Sequence, residues 1–340
     1  MDAREALVIV ATGGTLTRAQ AEGAMASVMA GEVTDAQLAA LLAALAVRGE
    51  TVDEITGFAA GMRAAAVPVA IADGAIDTCG TGGDRSHSFN ISTVAAIVAA
   101  AAGARVAKHG NRAASSACGS ADVLEALGVK IDLGAESVAA CVGDIGVGFM
   151  FAPRYHPAMR HAAPVRRDIG IRTIFNVLGP LANPAGVKRQ LLGVPTTALA
   201  ERMVEVLRDL GAERALVVHS ADGLDEISPS GPTRTWELRE DGSIREDELS
   251  PEALGLERAP RDSVRGGDSE TNATIARAVL SGAARDGART AVLLNAGAAC
   301  YVAGLAPDPR GGVALAAKAI ESGAAMDTLE RWIALSGTLA

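Results

Sequence analysis

The stretch Asp77-Thr78-Cys79-Gly80-Thr81-Gly82-Gly83-Asp84 constrains this chain more than any other. Three glycines within four residues allow positive φ and close approach of backbone to a ligand, because no Cβ stands in the way. Pro68 disfavours helix just before the loop, so the lead-in toward Ile76 reads as extended. Behind the loop, Ser88, Asn90, Ser92 and Thr93 run into the apolar segment 94–102, which reads as a buried helix. A strand, a glycine loop and a helix in that order predict α/β structure, with the loop delivering an anion to a helix N-terminus. Successive main-chain N–H groups in such a loop can converge on that anion. The loop therefore reads as a phosphate or pyrophosphate cradle. Taken alone, the same residues also suit a bare turn. They lack both the dinucleotide fingerprint and the Gly-Lys-Ser/Thr ending of other nucleotide loops.

Composition narrows the partners. A net charge of −9 argues against general nucleic-acid binding, which needs a basic face. Aromatic residues are only 3%, which disfavours recognition by stacked aromatic platforms. Cys79, Cys118, Cys141 and Cys300 are widely spaced with no Cys-x-x-Cys pair, so zinc is not expected and a reduced cytoplasmic setting fits best. The apolar run 6–11 is too short, and its flanks too acidic, for a signal peptide. The alanine-rich runs are broken well before membrane-spanning length.

Along the chain, Leu7-Val8-Ile9-Val10-Ala11-Thr12-Gly13-Gly14-Thr15 resembles the opening strand and nucleophile loop of asparaginases. The capping box Thr17-Arg18-Ala19-Gln20 that follows argues instead for a lead-in to a helix. Thr34-Asp35-Ala36-Gln37 and Thr51-Val52-Asp53-Glu54 repeat that signature before apolar residues at helical spacing. Residues 1–70 thus form a small all-helical domain. From 71 to 340, strands are expected at 104–108, 146–151, 215–219 and 290–295, with a hairpin around Trp236 and Ile244. Helices are expected at 121–128, 199–210, 271–284, 312–323 and 326–336, and 157–167 reads as a helical or looped return. This alternation predicts a large α/β domain with a central mixed, largely parallel sheet covered by helices.

Three further stretches carry candidate chemistry. Lys108-His109-Gly110-Asn111-Arg112-Ala113-Ala114-Ser115-Ser116 follows a predicted strand, where open α/β sheets place ligands, and it combines cations with small hydroxyl donors. Asp225-Glu226 places two carboxylates together, which repel unless a cation such as Mg2+ lies close. The stretch Ala163-Pro164-Val165-Arg166-Arg167-Asp168-Ile169-Gly170-Ile171-Arg172-Thr173 holds three arginines, any of which can form a forked pair with a substrate carboxylate. Viewed singly, each of the three also suits a solvated polar loop.

Taken together, Thr78–Asp84, Asn90-Ile91-Ser92-Thr93, Lys108-His109-Gly110-Asn111-Arg112 and Gly223-Leu224-Asp225-Glu226 closely resemble the anthranilate phosphoribosyltransferase family. The segments 119–128 and 170–184 extend the resemblance, which continues to Leu294-Asn295-Ala296-Gly297. The resemblance implies a nucleoside phosphorylase/phosphoribosyltransferase-like fold, in which part of 170–195 joins the helical domain and 71–340 binds the phosphoribosyl group. It implies transfer of the phosphoribosyl group of phosphoribosyl pyrophosphate (PRPP) to the amine of anthranilate, in tryptophan biosynthesis. Gly80, Gly83, Asp84, Ser88, Asn90, Ile91, Ser92 and Thr93 would hold PRPP. So would Lys108, His109, Gly110, Asn111, Arg112, Ala113, Ala114, Ser115, Ser116 and Ser120. Gly80, Asn111 and Arg166 would contact anthranilate, with His109 and Arg166 as positioning groups. Ser92, Asp225 and Glu226 would bind Mg2+, two ions per monomer, and the family implies a homodimer through the helical domain. No residue declares itself a general base.

Two rivals share the fold. A pyrimidine nucleoside phosphorylase would carry a different Lys-His loop, and a nucleic-acid-binding paralogue would be basic and lack Asp225-Glu226. The Asn111-Arg112 pair, the acidic pair and the negative charge favour PRPP.

Overall fold

The structure, a computed structural model, describes residues 1–84, 86–113 and 117–340. Four helices come first: α1 (Ala3–Ala11), α2 (Arg18–Ala30), α3 (Asp35–Arg48) and α4 (Val52–Ala64). All four begin at capping boxes, with Asp2, Thr17, Thr34 and Thr51 accepting from the third helical N–H. The run that resembled an asparaginase strand is α1. Its Thr12 hydroxyl donates to the Val8 and Ile9 carbonyls at 3.0 and 2.9 Å and so closes the helix.

Beyond Ala64 the chain alternates: β1 (Ile76–Gly80), α5 (Ile91–Ala101), β2 (Val106–Gly110), α6 (Ser120–Leu127), α7 (Ala135–Ile145) and β3 (Val147–Phe151). A return through α8 (Ala152–Tyr155), α9 (Ala163–Ile169) and α10 (Phe175–Leu181) leads to β4 (Arg189–Gly193), α11 (Thr197–Asp209) and β5 (Arg214–Ser220). The hairpin β6 (Thr233–Leu238) and β7 (Ile244–Leu249) follows, then α12 (Ser269–Leu280), α13 (Gly287–Val302), α14 (Pro309–Glu321) and α15 (Ala324–Leu339). The seven strands lie in the order β3-β2-β1-β4-β5-β6-β7. The first five are parallel and the last two antiparallel, a mixed and largely parallel sheet.

Two expectations fail, each for a physical reason. The expected strand at 290–295 is the centre of α13, capped by Asp286. That helix is buried on nearly every side, and an apolar run without a polar face has no period that separates helix from strand. Strand β4 went unread because its five residues offer too short a pattern.

The strands alternate between two cores, as period two requires. Leu191, Leu216 and Val218 face a core built with α5, α6, α7 and α12 to α15. Leu192, Val217 and Trp236 face a second core with α11, α9, α10 and the first four helices. Along the sheet, β2 and β3 lie to one side of β1 and β4 and β5 to the other. This reversal of order is where open α/β sheets bind ligands, beyond the carboxyl ends of the strands.

Candidate active site

Two adjoining cavities open at that point. The first, of about 370 Å3, is lined by the glycine loop, the start of α5, the end of β2, Ser120, Asp225 and Glu226. It brings together every described residue expected to bind PRPP or metal, from Gly80 to Glu226. Ala114, Ser115 and Ser116 lie outside the described residues. The second cavity, of about 540 Å3, is mostly apolar, with Met62, Pro153, Met159, Phe175 and Pro180 beside Arg166, His109 and His156. Gly80, Thr81, His109, Gly110, Asn111 and Asn176 line both, so the cavities share a wall.

The glycines are needed where they stand. Gly82 and Gly83 have φ of 66° and 81°, which L side chains rarely adopt. A Cβ on Gly80 would meet the Asp225 carboxylate, because the 225 loop folds down over the end of β1. Asp225 Oδ2 in turn accepts from the Gly82 N–H at 2.8 Å. Glu226 Oε1 accepts from the Ser92 N–H at 3.1 Å, which ties the acidic loop to the first turn of α5. Asn295 fixes the same loop from behind, donating to the Ile227 carbonyl and accepting from its N–H, each at 3.0 Å.

Burial is the main cause of the site's unusual acidity constants. It pushes Asp225 up to about 7, with repulsion from Asp84 adding, and Glu226 up to about 8, with repulsion from Asp225 adding. The Oδ2 of Asp84 is buried and has no hydrogen-bond partner among the described residues. Asp84, Asp225 and Glu226 line one cleft with hard oxygen donors, the ligand type that Mg2+ takes one or two at a time. Among the described residues no three metal-ligating side chains converge, so much of such an ion's shell must come from phosphate and water.

Other expected ligands have structural tasks. The Lys108 ammonium, 2% exposed, donates to the Thr78 carbonyl and, at 3.4 Å, to Ser92 Oγ. Asn90 bridges loops: its Nδ2 donates to the Cys118 carbonyl at 3.2 Å, and its Oδ1 accepts from Asn272 at 3.0 Å. Arg112 forks onto Glu125 and also reaches Asp122, both on α6. Cys79 lies in the shared wall, but burial and then Asp77 push its thiol well above the ordinary range, which leaves no thiolate.

In the apolar cavity, burial lowers the Arg166 guanidinium, which stacks 5.1 Å over Phe175. Burial also lowers His109 to about 3 and His156 to about 4, so both imidazoles are neutral at pH 7. His109 Nδ1 lies 3.3 Å from the Gly179 carbonyl, which makes it the protonated nitrogen. The Nε2 atoms of both rings are buried without partners among the described residues. His156, Phe175, Asn176 and Arg172 escaped sequence reasoning. Arg172, Phe175 and Asn176 lie within the 170–184 segment that carries the resemblance, but the resemblance assigned no role to them, and His156 had no sequence signal at all.

Comparison with known proteins agrees across the whole chain. Residues 72–326 match the a/b domain of a glycosyl transferase family, and residues 4–66 match its helical bundle domain. The chain is 54% identical over 336 residues to the anthranilate phosphoribosyltransferase of Chloroflexus aggregans, covering 99% of each. The chain belongs to the anthranilate phosphoribosyltransferase family. The Thermomicrobium roseum member is 57% identical over 335 residues, 97% of this chain and 96% of its own. The crystal structure of the Thermus thermophilus anthranilate phosphoribosyltransferase superposes with a TM-score of 0.92 at 45% identity, covering 99% of both chains. The Saccharomyces cerevisiae anthranilate phosphoribosyltransferase in complex with PRPP and Mg superposes with a TM-score of 0.90 at 26% identity, covering 98% of this chain and 97% of the other.

Proposed function

We propose that this chain transfers the phosphoribosyl group of PRPP to the amine of anthranilate, giving N-(5-phosphoribosyl)anthranilate and pyrophosphate in tryptophan biosynthesis. One observation carries the reading: a polar, carboxylate-bearing cleft and an apolar cavity holding an arginine share a wall at the end of β1 and β2. A polyanionic donor suits the first and an aromatic acid the second, and their reacting atoms would meet at Gly80 and Gly110.

In the donor cleft, the glycine loop and the first turn of α5 would hold the phosphates through main-chain N–H groups and small hydroxyls. Ser92, Asp225 and Glu226 would hold Mg2+, two ions per chain, and Asp84 adds an unused carboxylate oxygen beside them. Bound metal neutralises pyrophosphate charge and so favours its departure. In the acceptor cavity Arg166 would pair with the carboxylate, while Phe175 and the prolines enclose the ring. The unpartnered Nε2 atoms of His109 and His156 would accept from the amine and orient its lone pair toward the anomeric carbon. An aromatic amine is uncharged at neutral pH, so a strong base is not required. The C–N bond forms as the C–O bond to pyrophosphate breaks, and the amine proton passes to solvent.

The helical unit 1–70, with part of 170–195, supplies Met62 and Phe175 to the acceptor cavity, and 71–340 supplies the donor cleft. A second copy would dock on the helical unit, where Val8 and Val47 are 63% and 89% exposed. We assign the enzyme to the cytoplasm, the setting its cysteine usage suits. Among the described residues no helix is long and apolar enough to cross a membrane.

The test is loss of anthranilate fluorescence with PRPP and Mg2+. Arg166→Ala should raise the anthranilate KM at least about tenfold, the loss of one charged hydrogen-bonded pair. Nucleoside cleavage without PRPP consumption would overturn the assignment.

A further inference from the structure

The donor cleft is lined by three described cations outside its histidines: Lys108, Arg112 and Arg172. Two are engaged already. Lys108 donates to Thr78 and Ser92, and Arg112 is forked onto Glu125 with Asp122 beside it. Arg172 is different. It is exposed, and it makes no hydrogen bond or ion pair with any described residue. Its guanidinium lies directly over the backbone of Gly83, where a Cβ would collide with it. Gly83 is required by its φ of 81°, while the arginine above it is the free end of an unbonded side chain.

The placement has a structural cause. Gly170, at φ 66°, caps α9 in the left-handed conformation and turns the chain back toward the sheet. Arg172 follows two residues later, on the path into α10. The same α9 carries Arg166 into the acceptor cavity. One short segment thus supplies a cation to each side of the shared wall.

We infer that Arg172 is a further pyrophosphate-binding residue, closing over the Gly82–Gly83 turn to hold the leaving group. The inference rests on the donor reading of the cleft given above. A guanidinium presents two parallel N–H donors that match two phosphate oxygens, and among the described cations lining the cleft only this one has no partner to give up. Negative charge grows on pyrophosphate as its C–O bond to the anomeric carbon breaks. Contact with Arg172 therefore strengthens in the transition state and favours departure.

Arg172→Ala and Arg172→Lys, titrated calorimetrically with inorganic pyrophosphate in Mg2+ and assayed with PRPP and anthranilate, test this. Arg172→Ala should raise both the pyrophosphate Kd and the PRPP KM about tenfold, the loss of one charge-assisted contact. The anthranilate KM should stay within about twofold and the melting temperature should not move, because the side chain bonds nothing in the fold. Arg172→Lys should fall between, keeping the charge and losing the fork. An unchanged pyrophosphate Kd in Arg172→Ala overturns the inference, as does an equal rise in the anthranilate KM. Wild-type protein that neither binds pyrophosphate nor consumes PRPP would instead remove the proposed function, and this inference with it.

Discussion

Gly193 ends β4 as the register partner of Gly80 in β1. A Cβ added there would fall inside the main-chain carbonyl of Asp225. Because the obstacle is backbone, no rotamer change relieves it. The loop cannot simply lift away, since Asn295 bonds both the N–H and the carbonyl of Ile227 from behind. Gly193→Ala must therefore drive the Asp225 backbone outward by more than an ångström and stretch the 2.8 Å bond from Gly82 N–H to Asp225 Oδ2. If Asp225 holds Mg2+ as proposed, displacing it by about 1 Å costs roughly 100-fold in rate, or about 2.7 kcal/mol of transition-state stabilisation. Overpacking of this kind also costs about 1–3 kcal/mol of stability. Initial rates of anthranilate loss across a grid of PRPP and Mg2+ concentrations, beside thermal melting, measure both. The expected result is a drop of about 100-fold in kcat/KM for PRPP, with a higher Mg2+ requirement. Gly143→Ala is the matched control, for that glycine lies exposed in α7 with open space around its Cβ. It should keep full activity and gain about 0.5–1 kcal/mol from helix propensity. Wild-type rates and Mg2+ dependence in Gly193→Ala would refute the reasoning.

Two further predictions concern pH. Asp225 and Glu226, raised from 3.8 and 4.5 to about 7 and 8, keep protons in the metal-free fold that the unfolded chain has already released. Stability in chelator should therefore fall as pH rises through that window, and Mg2+ should restore it most at pH 8. Asp225→Asn/Glu226→Gln should flatten the profile of melting temperature against pH, and a flat wild-type profile would count against buried, repelling carboxylates. His156, lowered from 6.5 to about 4, has the opposite sign: the unfolded chain takes a proton that the fold refuses, so stability is lost as pH falls through that range. One such group contributes a slope of about 1.4 kcal/mol per pH unit. His109, lowered to about 3, adds a share of the same sign, so His156→Gln should reduce the slope in urea titrations between pH 6 and 4.5 by one group's worth, and an unchanged slope would place the acid sensitivity elsewhere.

Much of the polar cleft was legible because the residues that line it announce themselves locally. Gly80, Gly82 and Gly83 cluster too tightly for ordinary structure, and Lys108 to Arg112 packs cations and small groups into five residues. The capping boxes at Thr17, Thr34 and Thr51 were legible for the same reason, since each is a four-residue pattern. What escaped is defined only by contacts between distant segments. Gly193 reads as an unremarkable strand end until Asp225 folds onto it. Asn295 reads as part of an apolar run, yet its side chain pins Ile227, 68 positions earlier in the chain. His156 gains its meaning from His109, whose ring centroid lies 5.0 Å away across the α8 return. Asn90 was expected at the cleft and lines it, but its side chain spends both ends on Cys118 and Asn272, which local sequence could not foretell.

The shared wall explains why glycine recurs at the ends of β1, β2 and β4. Donor and acceptor atoms must approach to about 3–3.5 Å for displacement, so whatever stands between the two cavities has to be thin. Gly80 and Gly110 line both cavities and are the thinnest residues available. Each is also demanded by the fold: a Cβ on Gly80 would strike Asp225, and one on Gly110 would press on Ser120 and lie 2.8 Å from the Phe149 ring. Packing at the sheet's switch point and access between substrates thus impose the same requirement on the same atoms. It follows that no side chain can be added at either position to separate stability from turnover. Gly80→Ala and Gly110→Ala should lose both together, whereas Arg166→Ala, which touches only the acceptor cavity, should lose acceptor affinity while the fold is retained.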